Sequence, residues 1–82
     1  MTAVETMKQM SESLNDKDKR LALKFIDERK FDNLYDLVNS TIYKLVKKKE
    51  LEESEEHRLD SLREYRTIVV EYLNQLDYND FS

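Results

Sequence analysis

The chain has 82 residues, 39% of them charged and 39% hydrophobic, with no glycine, proline, cysteine or tryptophan. Without glycine there is no phosphate-cradling P-loop and no dinucleotide fingerprint; without cysteine there is no disulfide, thiolate nucleophile or cysteine-ligated zinc, which suits a reducing cytosol. Ordinary proteins carry about 7% Gly and about 5% Pro, so a chain with neither is expected to be all-α.

The net charge of −4 is unevenly spread: residues 1–49 hold eleven Lys or Arg against eight Asp or Glu, and residues 50–82 hold three against ten. Such a chain either meets oppositely charged partners or folds so that its own halves attract, and the second explanation needs no partner. A domain of this size buries only about 60% of its unfolded surface and is marginal alone, which leaves a homodimer open. The longest apolar run is Ile68-Val69-Val70, far short of the ~20 residues of a membrane span. Glu5, Lys8 and Glu12 interrupt any secretion-type stretch, so no membrane contact and a cytoplasmic location are expected.

In chain order, residues 1–15 come first as a segment of their own. Val4, Met7, Met10 and Leu14 have the spacing of a short amphipathic helix, while Ser11 and Ser13 argue for fraying. Asn15 with Asp18 three residues on resembles a capping box and starts a helix near Asp16. Its stripe is Leu21, Ala22, Phe25 and Ile26, and it ends near Lys30.

Asp32 is the expected N-cap of the next helix, after a tight turn at residues 29–31. Leu34, Leu37, Val38, Ile42, Leu45 and Val46 form its apolar set. The change from Lys47-Lys48-Lys49 to a run of glutamates marks its end and the start of another helix, with Ser54 as N-cap, because cations suit a helix C-terminus and carboxylates an N-terminus. One unbroken helix from Phe31 to Leu76 is the alternative.

In the last helix, positions 51, 55, 58, 62, 65, 69, 72 and 76 make a heptad-like seam with Glu55 and Arg58 as polar exceptions. Around Ile68-Val69-Val70 the apolar arc widens to about 200°, a hint of self-association at Ile68. The predicted fold is a small antiparallel three-helix bundle over residues 16–77, with or without an extra short N-terminal helix, followed by a flexible acidic-aromatic tail at 78–82.

Candidate chemistry is sparse. Ser54, His57 and a glutamate fall on one helical face, but a wet acidic helix start shelters no nucleophile and offers no oxyanion donors. Glu50, Glu52, Glu53, Glu55 and Glu56 lack the convergent loop a calcium site requires. No catalytic residue, metal ligand or cofactor is therefore expected.

Lys44, Lys47, Lys48 and Lys49 could meet phosphates, which makes a nucleic-acid-associated regulator the alternative function, although a pI near 5.0 opposes it. The carboxylates of residues 50–82 raise the opposite alternative of an acidic nucleic-acid mimic, for which a net charge of −4 is small. Protein recognition is the leading expectation. Tyr43 falls on the polar side of its helix with Asp36, Asn39 and Lys47 around it, an interface anchor unless it folds over its own helix. The segment carrying Tyr78 and Phe81 is a second candidate, for an apolar groove of a partner, unless it tucks against its own bundle. The whole has the size and plainness of an adaptor or inhibitor among the small accessory proteins of phages or mobile elements.

Overall fold

The computed structural model describes the backbone of residues 2–81 and the side chains of residues 2–76. The chain is all-α, and four helices pack together: α1 (Ala3–Met10), α2 (Asp16–Asp27), α3 (Phe31–Val46) and α4 (Glu53–Phe81). A 3-10 turn at Ser11–Ser13 joins α1 to α2. The packing is a closed ring. α4 lies against α1 and α3, and α2 lies against α1 and α3; among the described residues neither diagonal pair comes within 8 Å between Cα atoms. The pairs Phe31–Tyr72, Asn39–Arg66 and Lys48–Glu55 run α3 antiparallel to α4, and Lys8–Asp27 with Glu12–Lys19 do the same for α1 and α2. The expected bundle at residues 16–77 thus has α1 as its fourth member.

α1 begins where Thr2 accepts a hydrogen bond from the Glu5 N–H at 3.2 Å, the first half of a capping box. Met7 is fully buried. Ser11, which argued for fraying, is fully buried as well. Its hydroxyl donates to the Met7 carbonyl at 2.9 Å and lies 2.8 Å from the Tyr65 hydroxyl of α4, which is itself fully buried. The serine has one proton and spends it on Met7, so Tyr65 donates to Ser11, and every polar atom of the relay is satisfied. Burial pushes the Tyr65 phenol up from its ordinary value of 10.0.

Asn15 caps α2 as the sequence indicates, accepting from the Asp18 N–H at 2.8 Å. The end of α2 differs from expectation. It stops at Asp27, where Arg29 takes φ 59° and the Arg29 and Lys30 N–H groups bond back to Ile26 and Phe25. This is a Schellman closure built on arginine where glycine is the usual residue. α3 then starts at Phe31, one residue before the expected Asp32 cap, with no side-chain cap. Burial of Phe31, edge-on to Tyr72 at 4.7 Å between ring centroids, sets that start.

α3 ends at Val46 and α4 begins at Glu53, so a single helix from 31 to 76 does not form. Ser54 is inside α4 and is not its cap. Glu55 performs that role from the third helical position, reaching back to the Glu52 N–H at 3.4 Å while it pairs with Lys48 across the junction. Its carboxyl is held below the usual value, first by the Lys48 hydrogen bond and then by Glu52. Half-buried Leu51 ties the connecting loop to the core.

Leu34, Val38, Ile42, Leu59, Leu62, Tyr65 and Val69 line the core between α3 and α4, with Met7, Leu14, Ala22 and Ile26 closing it from α1 and α2. Three residues of the expected stripes are instead exposed: Leu21, Val46 and Leu76. Leu76 lies beyond the Phe31–Tyr72 contact, past the start of α3. α4 alone spans about 43 Å at ~1.5 Å per residue, which accounts for a longest dimension of 46 Å against 22 and 21 Å. Among the described residues no helix is long and apolar enough to cross a membrane.

Candidate binding groove between α3 and α4

Among the described residues a concavity lies on the outside of the ring, along the seam of α3 and α4. It encloses about 220 Å³ and is lined by Asn39, Ile42, Tyr43 and Val46 from α3 and by Arg63 and Arg66 from α4. Its floor is apolar because Ile42, only 4% exposed, belongs to the core. Its rim is not covered: Tyr43 is 58% exposed and Val46 52%. These positions are one turn apart on α3, so ring and isopropyl group share a face.

Polar groups shape the walls. Arg66 donates to the Asn39 side-chain oxygen at 3.0 Å, a bond that crosses from α4 to α3 and sets their register locally. Lys47, the last-turn cap of α3, places its ammonium 4.4 Å from the Tyr43 ring centroid. At an exposed site such a cation–π contact contributes roughly 0.5–1 kcal/mol and restrains both side chains.

The residues singled out from sequence do not gather at one place. Tyr43, Asn39 and Lys47 come together at the groove; Asp36 is exposed further along α3 and is not part of its lining. Ile68 is half-buried and packed on the core. The wide arc around it matches two neighbours, α1 and α3, on different sides of α4. The Tyr78 and Phe81 side chains lie outside the described residues. Of the lysine cluster, Lys48 is engaged by Glu55 and Lys47 by Tyr43, while Lys44 and Lys49 are exposed. Among the described residues no three His, Cys, Asp or Glu side chains gather as metal ligands would.

Arg63, Arg66 and Val46 are the groove residues that sequence patterning missed. For Val46 the signal was misleading, since it continues the apolar spacing of α3. For the arginines no local signal exists, because only the pairing of α3 with α4 brings them beside Tyr43. No family model matches the chain, and no curated protein or solved structure shows detectable similarity to it.

Proposed function

We propose that the protein is a non-enzymatic interaction module, an adaptor or inhibitor, that binds another protein through the α3/α4 groove centred on Tyr43. One observation carries this reading. The two most exposed large apolar side chains among the described residues, Tyr43 and Val46, stand side by side at the rim of the same concavity. An exposed tyrosine held by a neighbouring cation offers large contact area with little rotamer entropy left to lose, which is the profile of an interface anchor.

The test is recovery of partners from the native host on immobilised protein, with wild type and Tyr43→Ala compared at equal loading. Loss of a specific partner with Tyr43→Ala supports the reading. A partner retained equally by wild type and Tyr43→Ala would remove the groove from consideration. The alternative of phosphate binding through Lys44, Lys47, Lys48 and Lys49 is less well supported, because Glu55 and Tyr43 already occupy two of the four ammonium groups.

A further inference from the structure

We infer that the groove takes an acidic polypeptide segment of a partner protein, which sets a carboxylate against Arg63 and an apolar or aromatic side chain on Tyr43 and Val46. This rests on reading the groove as a binding surface and adds the chemical class of its occupant. The charge around the groove is the reason. Four ion pairs join described residues, Lys8–Asp27, Lys19–Glu12, Lys30–Glu28 and Lys48–Glu55, and none involves a groove cation. Among the described residues the Arg63 guanidinium has neither a hydrogen bond nor an ion pair. Arg66 meets only the neutral amide of Asn39, and Lys47 meets only a ring.

The placement is selective. Residues 50–82 contain three cations and ten carboxylates. One of those cations, Arg58, is used internally, donating to the Ser13 carbonyl at 2.7 Å. The other two both line the groove. An acidic helix that brings its two remaining arginines beside an exposed tyrosine and valine offers a local site for anions within a negatively charged molecule. A guanidinium fork matches a carboxylate in two parallel hydrogen bonds, and the adjacent apolar rim excludes water from that pair.

Two other occupants fit less well. A volume of about 220 Å³ is below the ~300–1,000 Å³ that drug-sized ligands occupy; it suits a side chain or two presented by a larger partner. A nucleic acid would face the remaining carboxylates of α4 and a net charge of −4, and its phosphates would gain nothing from Val46 and Ile42.

A random peptide-display library selected on immobilised full-length protein tests this without presupposing a sequence. Enriched peptides are expected to be net acidic with an aromatic or aliphatic anchor. Their affinity should weaken at least about tenfold with Arg63→Glu, as loss of a paired charge at an interface does, and should also weaken on raising salt. Arg63 is exposed, so Arg63→Glu should leave the circular dichroism unchanged; Arg66→Gln provides a second, milder variant. Enrichment of neutral or basic peptides that need Tyr43 but ignore Arg63→Glu would overturn the acidic class and keep the groove as a binding surface. Binding indifferent to both Tyr43→Ala and Arg63→Glu would overturn both readings. Tight retention of duplex DNA or RNA lost with Arg63→Glu, without acidic peptides being enriched, would overturn the protein occupant in favour of a nucleic acid.

Discussion

α4 treats its polar groups in opposite ways on its two sides. Toward α1, Tyr65 and Arg58 are consumed: the phenol closes a relay through Ser11 to the Met7 carbonyl, and the guanidinium holds the Ser13 carbonyl. Toward the outer edge of α3, Arg63 is exposed and half-buried Arg66 meets only the Asn39 amide, both beside Tyr43 and Val46. A polar group placed in the core must find a partner inside the fold, because leaving it unsatisfied costs on the order of 1–3 kcal/mol. A cation left at the rim carries no such obligation and stays available to another molecule.

The largest difference between the sides should come from removing core volume. Leu62→Ala, at a fully buried seam position, should cost about 2–5 kcal/mol by urea denaturation. A loss of under about 1 kcal/mol would mean that the core is loosely packed. Ser11→Ala should cost roughly 1–3 kcal/mol, since it strands the Tyr65 hydroxyl in the core. In a double-mutant cycle with Tyr65→Phe, the second substitution should cost much less once the first is present; additive effects would argue against the relay.

The same tyrosine gives a pH signature. Its folded value is raised above the ordinary 10.0, so the folded state binds more protons than the unfolded one above that pH. Stability should be full below about pH 10 and fall as pH rises from there toward the folded value. Tyr65→Phe should flatten that decline in alkaline urea titrations.

Smaller effects are expected at the surface. Arg29→Gly should raise stability by about 0.5–1 kcal/mol, because the left-handed backbone at φ 59° penalises a side chain and glycine avoids the penalty; a decrease would show that the arginine side chain contributes more than its backbone costs. On the groove side, Tyr43→Ala should shift stability by no more than about 0.5–1 kcal/mol, the scale of its contact with Lys47. A large loss there would make the tyrosine a structural residue and would erase the contrast between the two sides.

Much of the architecture was legible from local signals. The Asn15 cap, a break at the lysine-to-glutamate reversal and the exposure of Tyr43 follow from propensity, dipole and helical phase, although α3 stops at Val46, before the lysine run. Thr2 with Glu5 was an equally clear start signal for α1, obscured by the serines that follow it. The end of α2 and the start of α3 differ from the sequence expectation by one to three residues, because an arginine in the left-handed region leaves no sign in composition.

Composition, charge order and periodicity therefore determined an all-helical chain, its main breaks and most of the side chains that face inward. They do so because helix formation and amphipathic burial depend on residues within about one turn of each other. Only the tertiary packing decided that α1 is a full member of the ring, that Ser11 answers Tyr65, and that Arg63 and Arg66 flank Tyr43 and Val46. Those pairings join residues 17 to 54 positions apart, and their partners are selected by how the helices fit together rather than by anything in the neighbouring sequence.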